Sequence, residues 1–439
     1  MFGILADRTF RTLFAAQVSA LLGTGLMTVA LGLLAYDLAG GDAALILGTI
    51  FTIKMIAYVG LSPIAAALVE RLPRRTVLVS LDLVRAAAAL VFPFVTEIWQ
   101  AYFLVLVLQS ASAAFTPAFQ ATIPDVLQEE DRYTNALSLS RLAQDLENIA
   151  SPLIAAALLL VFSFDVLFFG TLAGFLASGL LILSVTFPTA SPPERRGIWE
   201  RTTRGILIYL ATPRLRGLLA LNAGAAAAGA MVLVNTVVLV RDTLGRDDSA
   251  VALTLSAFGA GSMVSALALP RMLERIGDRK VMVAGTLGQI GALSALAIWT
   301  IAIGLSWSAL LVTWTVTGAA YAAALTPAGR LLRRSSHSED RPAIFAAQFA
   351  LSHACWLVTY PLAGWLMTVA GPVPALIALT AIAILGLVIA LRLWPKSDSS
   401  LMPHTHDDLP PDHPHVRDGR HHVHEIRIDA LHPSWPTKG

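Results

Sequence analysis

Twelve apolar runs divide this 439-residue chain, each of about 20 residues or more, the length that crosses the hydrocarbon core of a bilayer as one helix. Lipid offers no partner to a backbone N–H or C=O, so every such run must pair its polar groups internally, as a helix does. Six runs precede residue 188 and six follow residue 216, the first at 12–36 and the last at 372–394. With 56% hydrophobic and 14% charged residues, the composition excludes a soluble globule. The first run follows Asp7, Arg8 and Arg11 and is too long for a cleavable leader, so it is read as the first spanning helix.

Charge sorts the loops. Taking the N-terminus as cytoplasmic, twenty Lys and Arg residues fall on that side against two, Arg241 and Arg246, on the other. This asymmetry predicts both termini in the cytoplasm and a bacterial inner-membrane location. The chain divides into a six-helix bundle at 1–188, a polar basic linker at 189–215, a second bundle at 216–395 and a tail at 396–439, expected to be disordered and cytoplasmic.

The halves repeat each other. Thr116-Pro117-Ala118 recurs as Thr326-Pro327-Ala328, Glu130-Asp131-Arg132 as Glu339-Asp340-Arg341, and Pro152 as Pro361. Two short basic loops recur as well: Glu70, Arg71, Arg74 and Arg75 around Pro73, then Glu274, Arg275 and Arg279 around Gly277. These loops resemble the G-x-x-x-D-R-x-G-R-R/K signature of the major facilitator superfamily, with Glu in place of Asp. The resemblance implies an all-α integral membrane fold, with twelve transmembrane helices in two pseudo-symmetric six-helix bundles. It also implies that Glu70, Arg71, Arg74, Arg75, Glu274, Arg275 and Arg279 form a cytoplasmic gate. The stretch from Phe115 to Pro152 is similar to the branch holding siderophore exporters and macrolide efflux proteins. Ser151-Pro152 with Ala155-Ala156 looks like the helix 5 element of drug/proton antiporters, so Ser151, Pro152, Pro361 and Gly364 are read as packing or bend positions in helices 5 and 11.

Ionisable groups inside apolar runs are costly and mark pathways or paired structure. Six lie in the first half: Lys54, Asp82, Arg85, Arg141, Asp145 and Glu147. Asp82 with Arg85 and Arg141 with Asp145 are spaced to share a helical face. The first pair reads as a structural neutralisation, whereas Asp145, with Glu147 as second candidate, reads as the proton carrier. The second half offers His353, which maps onto Gln144 beside Asp145.

The tail carries eight of ten histidines: His404, His406, His413, His415, His421, His422, His424 and His432. Imidazole with carboxylate suits borderline divalent ions, and the tail resembles those of nickel-resistance exporters of the superfamily. Either it binds divalent metal or it is an inert solvated end. Cys355 is the single cysteine, so no intrachain disulfide forms. No nucleophile–base motif or phosphate loop appears, so neither an enzyme nor a resident cofactor is expected, and no nucleic-acid partner. The partners expected are the lipid bilayer, protons and a small solute or metal ion, with the chain a monomer. The function expected is proton-coupled export by alternating access. Three readings of it stand: nickel or cobalt export, export of an organic solute such as a siderophore or drug, and a membrane metal sensor that transports nothing.

Overall fold

The computed structural model describes residues 2–61, 73–127, 129–185, 198–337, 340–395, 401–405, 421–428, 432 and 435. The first half contains α1 (Arg8–Ala39), α2 (Ala43–Ile56), α3 (Arg74–Val91), α4 (Ile98–Val126), α5 (Glu130–Leu159) and α6 (Asp165–Leu183). A linker helix α7 (Ile198–Ala211) follows. The second half contains α8 (Pro213–Val238), α9 (Asp248–Ile276), α10 (Asp278–Ile303), α11 (Trp307–Leu325), the short α12 (Ala328–Arg334), α13 (Arg341–Ala370) and α14 (Pro372–Leu393). Among the described residues ten stretches are long and apolar enough to cross a membrane, and one of them, Arg8–Gly60, holds both α1 and α2. Helix α5 is the twelfth; charges crowd its first part and only Ala150–Leu159 is apolar throughout. Large apolar side chains such as Leu83, Leu180, Leu267 and Ile298 are exposed, as a lipid-facing surface requires.

Polar side chains close the helix ends. Asp7 accepts from the Phe10 N–H at 3.0 Å and caps α1, while its second oxygen takes Arg132 of α5 at 3.0 Å. Asp247 caps α9 through the Ala250 N–H at 2.9 Å. That bond, with the Ser249 hydroxyl, holds the Asp247 carboxyl below the usual carboxylate range.

Within each half the same helix pairs touch: α1 with α5 and α6, and α8 with α13 and α14; α3 with α4 and α6, and α10 with α11 and α14. Glycine makes the closest of these contacts. A Cβ on Gly174 would lie 2.6 Å from the Ser19 carbonyl oxygen, and one on Gly386 2.4 Å from that of Ala220. Between the halves, α2 packs along α13 and α5 along α9. At the end away from the basic loops α2 and α13 meet almost backbone to backbone, since a Cβ on Gly364 would fall 2.3 Å from the Ala44 carbonyl oxygen. Nearer the basic loops, aromatic rings fill the seam: Phe51 lies 5.0 Å from Tyr360, and Tyr58 lies 5.8 Å from His353.

The linker holds a helix: α7 lies on α13, with Arg204 paired to Asp340 at 2.7 Å and Gly205 pressed against the Ala343 carbonyl. One expectation needs correction. The tail is not wholly disordered. Residues Leu401–Thr405 (β1) and His421–Glu425 (β2) form an antiparallel ladder. The physical reason lies just beyond β2: Ile426 and Ile428 are buried, and Trp435 packs with Trp394 and Tyr209 and sits 5.0 Å from the Arg214 guanidinium. Apolar anchors among the histidines tie the segment to the second half.

Two outcomes follow. Gly364→Val should force the seam apart and cost about 1–3 kcal/mol, read as a lower unfolding midpoint in detergent, whereas Gly291→Ala, with nothing within 4 Å of the new Cβ, should be neutral or slightly stabilising. A cap whose carboxyl titrates low stabilises above its ordinary range and is lost as pH falls through the folded value. The amide-exchange protection factors at the start of α9 should therefore fall in acid, and Asp247→Ala should show that low protection already at neutral pH.

Candidate functional site

The site is built where α2 loses regular geometry. After Ile56 the chain makes a single π turn over Ala57–Leu61, a local widening that often marks functional positions. Lys54 and Tyr58 stand one turn apart there, with the ammonium 5.9 Å from the Tyr58 ring centroid. Glu147 of α5 is the opposite charge acting on Lys54, and Lys54 is the opposite charge acting on Glu147. Gly25 of α1 makes room for the carboxylate, because a Cβ there would lie 2.6 Å from Glu147 Oε1 and 2.2 Å from Ser151 Oγ. The Ser151 hydroxyl is buried without a hydrogen-bond partner among the described residues.

The second half reaches this cluster through His353. Its ring lies parallel to that of Tyr58, within 2°, and Nδ1 lies 2.7 Å from the Phe349 carbonyl oxygen. Lys54 also acts electrostatically on His353. Lys54, Tyr58, Glu147 and His353 are all half-buried.

The other predicted residues fall elsewhere. Asp82 and Arg85 form a buried ion pair inside the first half. Ser178 of α6 donates to Asp82 at 2.8 Å, and the guanidinium sits between the rings of Phe115 (3.9 Å) and Phe175 (4.5 Å). This is a neutralised anchor joining α3, α4 and α6. The side chains of Arg141 and Asp145 lie outside the described residues, as do Glu70 and Arg71.

Of the expected gate, Arg75 donates to the carbonyl of Leu183 at the end of α6, and Arg279 Nε donates to that of Trp394 just past α14 at 3.2 Å. Each arginine closes the last helix of its own half, where a cation meets the negative end of the helix. Arg74 is half-buried, and Glu274 and Arg275 are exposed. The buried carboxylate of the second loop is Asp278, 3.3 Å from Arg330 and 4.0 Å from Arg334. Asp278 is not among the gate residues expected from the sequence. Its place at the first position of a helix, three residues past Arg275, was the available clue.

Pro152 and Pro361 lie inside α5 and α13, and Gly364 serves the seam. Of the tail histidines only His432 has a described side chain, and it is buried. Among the described residues no three His, Cys, Asp or Glu side chains are grouped to hold a metal ion.

Comparison with known proteins agrees with this architecture. The profile of the Major Facilitator Superfamily matches residues 13–234 and 218–413. Macrolide efflux protein A of Streptococcus pyogenes is 24% identical over 184 residues, covering 41% of this chain and 45% of that protein. The uncharacterized MFS-type transporter YfiS of Bacillus subtilis (strain 168) is 28% identical over 174 residues, 39% of this chain and 40% of that one. Each match spans less than half of the relative. Among solved structures, a peptide transporter POT superposes with a TM-score of 0.68 at 12% identity, over 87% of this chain and 93% of that one. The nucleoside transporter NupG gives 0.67 at 13% identity, over 87% and 98%.

Removing one member of the buried Asp82–Arg85 pair strands the other charge. Asp82→Asn should cost about 3–5 kcal/mol, and Asp82→Leu combined with Arg85→Met should cost less than the single change, both read from thermal unfolding in detergent.

Proposed function

The chain belongs to the major facilitator superfamily, and on that premise we propose that it exports an organic solute, with Glu147 as its proton-coupling carboxylate. The observation that carries this reading is the position of Lys54 and Glu147. They stand on α2 and α5, the helices that pack along α13 and α9 of the other half, with Tyr58 one turn from Lys54 stacked on His353, whereas Asp82–Arg85 is enclosed in one half. An unpaired carboxylate in apolar surroundings is costly, so Glu147 holds Lys54, a proton or a cationic cargo group, one at a time. Rocking of the halves about the α2–α13 seam then exposes the occupant to one side or the other. This is alternating access.

The basic end of the bundle, with both termini, faces the cytoplasm by the positive-inside rule, and a bacterial inner membrane is the setting. The protein works as a monomer. The efflux assignment draws on the named relatives, which match only part of their length. Metal export and metal sensing rest on the tail histidines alone, so the organic-solute reading stands in front.

Purified protein in liposomes tests the coupling. Glu147→Gln should abolish uptake driven by an imposed proton gradient while substrate exchange without a gradient continues. Full gradient-driven transport by that variant would remove Glu147 from the mechanism, and Asp145→Asn would then be the next carboxylate to measure.

A further inference from the structure

The family profile ends at residue 413, and part of the chain that follows docks back on the second half. Alternate residues along a strand face the same way. Just past β2 the order Ile426-Arg427-Ile428 continues that alternation, with both isoleucines buried and Arg427 half-buried between them. Ile428 and Trp435 join one apolar cluster with Leu218 of α8, Ile344 and Ala347 of α13, Trp394 just past α14 and Tyr209 of α7. Trp435 also lies 5.0 Å from the guanidinium of Arg214, at the start of α8. One short segment thus touches the ends of four helices.

That docking floor is shared with the seam between the halves. Tyr209 donates its hydroxyl to Oε1 of Gln348 on α13. The next residue, Phe349, has its carbonyl oxygen 2.7 Å from His353 Nδ1 and its ring 3.9 Å from the imidazole. Both rings meet Tyr58 of the first half, at 6.1 Å and 5.8 Å. Terminal segment, linker helix, α13 and α2 are therefore joined in series. Ile344 precedes His353 by nine residues of unbroken helix, about 14 Å of rod.

We infer that the docked terminal segment is a strap that fixes the start of α13 and through it holds the Tyr58–His353 contact closed. A short rod moves as one piece, so the seating of Ile344 and Ala347 sets where His353 meets Tyr58. With the strap on, the start of α13 is tied to α7, α8 and the end of α14 through one shared cluster. With it off, that cluster loses Ile428 and Trp435, the start of α13 is held by fewer groups, and the seam parts more readily at the basic end. Two contacts borne by one element are coupled, and the coupling is reciprocal: whatever loosens the seam loosens the strap by the same factor. Because the strap lies beyond the family profile, it is a device of this chain's own terminal segment, added to the shared fold. It acts on the motion of the halves from outside the space between them, whatever the cargo.

Two measurements on the full chain test the strap. In a Cys355→Ser background, spin labels at Thr76→Cys and Arg333→Cys, exposed positions at the basic ends of the first and second halves, report how far that end is open. Ile428→Asp and, separately, Trp435→Ala should each raise the ratio of wide to narrow separations by about tenfold. Tyr209→Phe, which keeps its ring in the cluster and removes the bond to Gln348, should shift the distances the same way. Amide protection at Ile426–Ile428 reads docking directly. It should be high in the parent chain and fall about tenfold in Tyr58→Ala, a change in the other half that touches no terminal residue. Truncation after Pro395 should widen the separations as the point variants do, and if the shortened chain folds poorly the point variants and Tyr58→Ala decide alone. An unprotected terminal segment in the parent, parent-like separations in both Ile428→Asp and Trp435→Ala, or unchanged protection in Tyr58→Ala would overturn the proposal.

Discussion

The close contact between α2 and α13 is the constraint on which the rest of the molecule depends. Two backbones approach that closely only where neither carries a side chain, and Gly48 and Gly364 supply that gap on facing helices. A Cβ on Gly48 would lie 2.8 Å from the Tyr360 carbonyl oxygen. Toward the basic end the same seam is filled by Phe51, Tyr58, His353 and Tyr360, whose rings need several ångströms of room. The helices are thus pinned at one end and spaced at the other. Lys54 lies on the spaced part and is half-buried there.

Charge placement follows from that geometry. An ionisable group withdrawn from water must be paired or stay near water. Asp82 and Arg85 take the first course, walled in by Ser178, Phe115 and Phe175. Lys54 and Glu147 are half-buried and act on each other as opposite charges without forming a direct ion pair. The first pair joins helices of one half and moves as part of a rigid body. Lys54 and Glu147 stand on α2 and α5, the helices that pack against the other half.

The internal repeat is conserved in geometry and broken in chemistry. Arg75 and Arg279 close the last helices of their halves in the same way, and Gly25 and Gly229 receive the same position of the fifth helix. Yet the residues received are Glu147 and Trp356.

Much of this was legible in the sequence. The twelve helices, the two halves, the linker and the basic end are properties of local composition, because a bilayer demands long apolar runs and sorts arginine by side. Lys54, Glu147 and His353 stood out for the same reason, as polar groups where polar groups are costly. Tyr58, Trp356, Gly25 and Gly229 did not, since an aromatic or a glycine in an apolar run looks the same whether it faces lipid or a cavity. The tail's strands were hidden because Ile426, Ile428 and Trp435 are sparse among histidines and prolines. The sequence by itself determined which segments are helices, how they divide and which charges need partners. Only the tertiary structure decided which partners they find. Pairing across α2, α5 and α13 depends on the register in which glycine and aromatic surfaces pack, and no local pattern encodes that register.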